Sequence, residues 1–298
     1  MRVIATATAN AIAMRVSTDA LRDAFIAACN AELRALKPGN VHVYADGHGM
    51  TVDDFRASAV AAADPLCHPG LSVGARIEAA IRATRTALAF NTNLGIVLLA
   101  APLIVAAERA VPGEFRHTLA ATLAQLTVSD ASAAYAAIRL ANPGGLGHVD
   151  AQDAGGEPTV TLRAAMGSAA ARDRIARQYV TDFADVFAIG VAGLAAEERR
   201  GTSLDWAVSE IYLQFLATFP DSHVARKFGP SVAEEVRTAA AVLAASLMGV
   251  ADPRQRVPPL LEFDDLLKRC GINPGTAADL TVASLLVRAI EPIVDAAE

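Results

Sequence analysis

The stretch STDALRDAFIAACNAELRALKPG, residues 17–39, decides the fold class. Leu21, Phe25, Ile26, Cys29, Leu33 and Leu36 recur at three- and four-residue steps, which puts them on one face of an α-helix. Ser17 or Thr18 supplies a cap, and Pro38-Gly39 stops the helix at Lys37. The same period extends along the chain. Thr51-Val52-Asp53-Asp54 has the form of a capping box opening a helix toward Ala63, with Asp64-Pro65 closing it. Further helices are predicted at 72–89, 93–110, 115–126, 129–141, 168–199, 203–218, 230–249, 262–270 and 277–295. Only Val41-His42-Val43-Tyr44 and Thr159-Val160-Thr161-Leu162 alternate as short strands do, and no repeat of fixed period is present. The expected fold is all-α: a single-domain orthogonal multi-helix bundle over residues 1–298, with residues 1–16 a loosely packed N-terminal segment.

Of the 298 residues, 53% are hydrophobic and 19% charged, ample for a large core. The Pro and Gly clusters at 142–145 and 256–259 are short and mark no shift in composition, so neither reads as a linker. A formal charge of −6 argues against a nucleic-acid partner, while leaving room for small anionic ligands held by a few cations. The apolar run ending at Ala107 falls short of the roughly 20 residues a membrane span requires, and Pro102 interrupts it. Met1 to Met14 lacks a signal-peptide core, so a cytoplasmic protein is expected. Cys29, Cys67 and Cys270 are too far apart in sequence for a structural zinc motif. Cys29 reads as a buried small hydrophobe, and Cys67 beside His68 is a weak nucleophile–base pair because adjacent residues rarely face one another.

The polar residues that could carry chemistry gather in the loops. Asn91-Thr92-Asn93 opens directly onto Leu94-Gly95-Ile96-Val97-Leu98-Leu99, so a helix starting there would be buried along its body and offer free N–H groups at its mouth. Asn91 alone could be a plain N-cap. Lys37 suits either a helix C-terminus or a ligand contact, and His48, between two glycines, either a turn or a close ligand approach. Gly144-Gly145-Leu146-Gly147 lacks the features of a P-loop, and Asp150 and Asp153 beyond it suit either a divalent cation or a solvated loop. Asp221, His223, Arg226 and Lys227 form either a surface charge cluster or a functional loop. Thr276 to Asp279 has capping-box spacing, and Glu78 stands at ion-pair spacing from Arg82.

Taken in order, Lys37-Pro38-Gly39, Gly47-His48-Gly49-Met50, Gly74-Ala75-Arg76-Ile77-Glu78, Asn91-Thr92-Asn93-Leu94-Gly95 and Gly275-Thr276-Ala277-Ala278-Asp279 resemble the motifs of the triphosphoribosyl-dephospho-CoA synthase family. The resemblance spans about residues 30–290. It implies an all-helical transferase that takes ATP as a substrate with Mg²⁺, joins its triphosphoribosyl unit to 3′-dephospho-CoA and releases adenine. It also implies roles: Glu78 and Asp279 as catalytic carboxylates; Lys37, His48, Asn91, Thr92, Asn93, His223, Arg226 and Lys227 as nucleotide contacts; Asp153 and Asp221 as metal ligands. The family's Asn-Thr-His-Lys-Gly reads Asn91-Thr92-Asn93-Leu94-Gly95 here, which removes an imidazole and a cation, and Gly49 replaces an Asp. The Asn-Leu form resembles a branch found in methanogens and methylotrophs. An ATP- or ribosyl-phosphate-dependent step in tetrahydromethanopterin-type cofactor synthesis is therefore an alternative, as is a non-catalytic nucleotide-binding or partner-supporting protein. An alanine-rich helical chain could also bury further helices in a homodimer.

Overall fold

This computed structural model describes residues 16–142, 156–250 and 252–297. Among them the chain forms α1 (Thr18–Arg34), α2 (Val52–Leu66), α3 (Val73–Ala87), α4 (Leu94–Arg109), α5 (Phe115–Ala124), α6 (Val128–Ala141), α7 (Leu162–Ala169) and α8 (Arg174–Val180). A π-helical segment, Val186–Val191, leads into α9 (Ala192–Arg199), followed by α10 (Leu204–Thr218), α11 (Ser222–Phe228), α12 (Pro230–Leu247), α13 (Pro253–Arg269) and α14 (Gly275–Asp295). The all-α expectation holds.

The centre is built from α4 and α14. Every residue of α4 from Ile96 to Ala107 is buried, and α14 is buried on most sides, with α1, α4, α10 and the π segment packed around it. Helices apolar on all faces belong inside a protein. Pro102 lies inside α4, which runs through it as the predicted 93–110 helix requires. Its missing N–H leaves the Leu98 carbonyl without its helical partner, and the buried Tyr179 hydroxyl donates to that carbonyl at 2.6 Å. No helix among the described residues is long and apolar enough to cross a membrane.

Other differences have local causes. The helix predicted at 168–199 is divided, because Asp173 caps a fresh start and Asp182 and Phe183 take positive φ values. In the π segment, Gly190 lets α14 come close: a Cβ there would lie 1.8 Å from Ser284 Oγ. Neither predicted strand forms among the described residues. His42 and Ala45 make an isolated bridge across a turn, and Thr161 caps α7. Pro65 lies inside α2, which runs on to Leu66, and α13 begins at Pro253, where Asp252 caps it and a proline at the first helical position loses no bond. Helix α1 ends at Arg34, and the next residues turn Lys37 into the interior.

Candidate active site

The N-terminal ends of α4, α8, α11 and α14 converge on a cavity of about 890 Å³, within the range of small-molecule sites. Each end carries the partial positive charge of its unpaired N–H groups. Side chains fix the geometry. The Asp221 Oδ1 accepts from the His223 and Val224 N–H groups, and its Oδ2 accepts from the Ala277 N–H at 2.9 Å, so this carboxylate ties α11 to α14. Burial pushes its pKa up to about 6 in spite of those three donors. Asp173 caps α8 through Oδ1, while its Oδ2 receives Arg226 Nη1 at 2.6 Å. The Arg226 Nε is buried and has no partner among the described residues.

Two glycines bring the last helix into the cavity. At Gly95, in the first turn of α4, a Cβ would fall 2.0 Å from Asp279 Oδ2, so only glycine lets the carboxyl lie over that turn. At Gly275 a Cβ would fall 2.6 Å from His223 Nδ1, so the imidazole rests on glycine backbone. Burial and the neighbouring Arg226, Lys227 and His48 charges lower the His223 pKa to about 4, which keeps the ring neutral at physiological pH. Asp279 makes no hydrogen bond or ion pair with any described residue. Burial, with the Asp221 and Glu32 charges adding to it, raises its pKa well above the carboxylate range.

Glu32 closes the deep end. It is buried on α1 and forms an ion pair with Lys37, which also donates to the Asn40 side chain and to the Val41 carbonyl at 2.8 Å. Burial raises the Glu32 pKa and lowers that of Lys37, and each partner's charge opposes the other's shift. Asn40 in turn donates to Asn273 Oδ1, linking this loop to the start of α14. The remaining charged groups on the wall are Arg85 and Arg172, and the opposite wall is apolar, with Leu94, Leu98, Ile138 and Met166.

Of the residues proposed from sequence, Asn91, Thr92, His223, Arg226 and Asp279 line this cavity. Asn91 Oδ1 also accepts from the Leu94 N–H, so it is an N-cap as well. The others stand elsewhere. Lys37 is fully buried and meets the site through Glu32 and Asn40, which line the cavity. Asn93 turns inward, donating to Thr84 Oγ1 and the Ser58 carbonyl. His48 sits in its loop with φ of 57° and bonds the Gly39 carbonyl, and the exposed Lys227 lies over the Phe228 ring. Glu78 pairs with Arg82 and is not among the residues that line the cavity. Asp221 accepts from backbone amides with both oxygens, so it caps α11 and joins it to α14. Asp153, like Asp150 and the 144–147 glycine run, lies outside the described residues. Sequence reading missed Glu32 and Asp173. Glu32 could have been found as a carboxylate set on the apolar stripe between Cys29 and Leu36.

The family profile for ATP:dephospho-CoA triphosphoribosyl transferase matches residues 18–296. A comparison with curated proteins gives no match. Among solved structures, one from Archaeoglobus fulgidus, provisionally described as a triphosphoribosyl-dephospho-CoA synthase, is 26% identical and superposes with a TM-score of 0.60. It covers 79% of this chain and 97% of its own. The chain therefore belongs to the ATP:dephospho-CoA triphosphoribosyl transferase family, nucleotide-using transferases of cofactor biosynthesis.

Proposed function

We propose that the cavity holds ATP and 3′-dephospho-CoA together, and that Asp279 and Glu32 carry the proton transfers of triphosphoribosyl transfer. The observation behind this reading is Asp279, a carboxyl whose surroundings favour its neutral form and which has no described residue to bond. Such a group is suited to act as a general acid. When the bond from C1′ to adenine breaks, its electron pair leaves with the base, and Asp279 supplies the proton that the base gains. The ribose hydroxyl of dephospho-CoA attacks C1′, where oxocarbenium character has developed, and Glu32 takes the hydroxyl proton. The two carboxyls end with exchanged protonation states, which solvent resets. Arg226, Arg85 and Arg172, with the amides at the mouths of α4 and α14, hold the triphosphate.

Mg²⁺ enters this reading with ATP, whose phosphate oxygens supply most of its ligands and leave one or two places for protein carboxylates. No group of three His, Cys, Asp or Glu able to hold a metal forms among the described residues. On this reading the enzyme works on MgATP in the cytoplasm. One observation favours a second acceptor: where the family carries a cation, Leu94 adds to the apolar wall. That wall suits a flat, weakly charged acceptor such as a pterin, in keeping with a step in one-carbon cofactor synthesis. Incubating the protein with MgATP and each acceptor in turn, and following free adenine, separates the two. Release only with the pterin-type acceptors overturns the dephospho-CoA reading.

A further inference from the structure

Beside the main cavity lies a second, much smaller pocket of about 10 Å³, and Glu32 lines both. Its walls are apolar side chains, Phe25, Leu33, Phe55, Ile96 and Val282, and its polar lining is Glu32, Asn93 and the Cys29 thiol. Asn93 is 3% exposed, and its Oδ1 has no partner among the described residues. Its Nδ2 donates to the Ser58 carbonyl, which cannot donate in return, so the amide orientation is fixed and the oxygen is the atom left over. Glu32 bonds Lys37 through Oε1, and its other oxygen bonds no described residue. Two residues that each carry an unpartnered acceptor therefore line a space the size of one water molecule. Water, with two donor hydrogens, is the molecule that satisfies both. Leaving a buried acceptor unpaired is costly, so the site favours occupancy.

We propose that Asn93 is a positioning residue that holds one buried water against Glu32, tying the loop before α4 to the carboxylate at the floor of the cavity. The water donates one hydrogen to Asn93 Oδ1 and the other to Glu32, and can accept from the Cys29 thiol. Its effect on Glu32 is to favour the ionised form that takes the proton of the attacking hydroxyl. The charged and titratable groups facing Glu32 are Lys37 from its own loop, Cys29 from α1, Tyr212 from α10 and Asp279 from α14. Of these, Lys37 alone favours the carboxylate, so a donor on the far side is a second, separate support. The role in turnover rests on the assignment of Glu32 as the base, whereas the water itself does not.

Two measurements test this. A high-resolution crystal structure of the unaltered protein should show a water within hydrogen-bond distance of both Asn93 Oδ1 and Glu32, and a pocket with no density between well-ordered side chains overturns the proposal whatever the enzyme does. The pH profile of kcat/KM for adenine release is then compared between the wild type, Asn93→Ala and Ala59→Val, the last filling the pocket from its apolar wall while residue 93 remains Asn. Losing the donor disfavours the carboxylate, so the acid limb should move to higher pH by roughly half to one unit in both variants. A rate lowered equally at all pH values, with the limb unmoved in both, marks Asn93 as merely structural and overturns the positioning role. If the wild type releases no adenine, the catalytic reading fails, and the crystal structure still judges the water.

Discussion

The Asp279 carboxyl lies directly over Gly95, with Oδ2 only 2.0 Å from where a Cβ at residue 95 would stand. Two motifs nearly two hundred residues apart thus interlock, the glycine of one making room for the acid of the other. A Gly95→Ala variant gains helix propensity, worth about 0.5–1 kcal/mol. It also drives a methyl into Asp279 and into Ile175 Cδ1, which would lie 2.7 Å away. Overpacking of this kind costs about 1–3 kcal/mol, so the variant should be less stable in urea. Displacing the acid should lower kcat by about 100-fold, with a much smaller change in KM for ATP.

Asp279 also sets a pH dependence of stability. Its folded pKa is raised by burial, so the folded state is favoured while the group is protonated, below the unfolded carboxylate pKa. That contribution is lost as pH rises toward the folded pKa. Asp221, pushed up to about 6, adds a loss in the same direction between about pH 4 and pH 6. Replacing Asp279 by Asn removes the first loss and abolishes the acid. Urea unfolding at pH 5 and pH 8 should show the variant gaining on the wild type at the higher pH while its turnover collapses; a variant that loses stability at pH 8 contradicts the assignment.

Lys37 and Glu32 form a buried pair, and removing one partner leaves the other charge uncompensated. Lys37→Met should therefore destabilise the protein by about 3–5 kcal/mol. Adding Glu32→Gln to it should recover much of that loss, because no buried charge remains, without restoring adenine release. Chemical denaturation of the two single variants and the double variant measures the coupling.

The proline in α4 makes a structural prediction independent of chemistry. Tyr179→Phe strips the Leu98 carbonyl of its donor and should cost about 1–3 kcal/mol. In a Pro102→Ala background the helix N–H returns to that carbonyl, so the same change should cost clearly less. Equal costs in both backgrounds contradict this account of how α4 passes through Pro102.

Helix periodicity was readable wherever one face met the core, which is why α1, α3, α4, α6, α10, α12 and α14 fall close to their predicted limits. It failed at 168–199, where alanine-rich sequence stays periodic through breaks that depend on Asp173 capping and on non-glycine positive φ at Asp182 and Phe183. In the site, Asn91, Thr92, His223, Arg226 and Asp279 were legible because each stands in or beside a polar turn marked by glycine or proline, and all five line the cavity. Glu32 left one signal, a charge within the apolar stripe, whose meaning shows once Lys37 folds back against it. The motif that holds Glu78 says nothing about which face of α3 meets the cavity, and in the structure Glu78 pairs with Arg82.

The most direct test is adenine release from MgATP and dephospho-CoA by the wild type, Asp279→Asn and Glu78→Gln, with the coupled product weighed by mass spectrometry. The account predicts one adenine per triphosphoribosyl-dephospho-CoA formed, loss of at least about 100-fold in kcat for Asp279→Asn, and a rate within about twofold of wild type for Glu78→Gln. Undiminished turnover in Asp279→Asn, or collapse in Glu78→Gln, contradicts it.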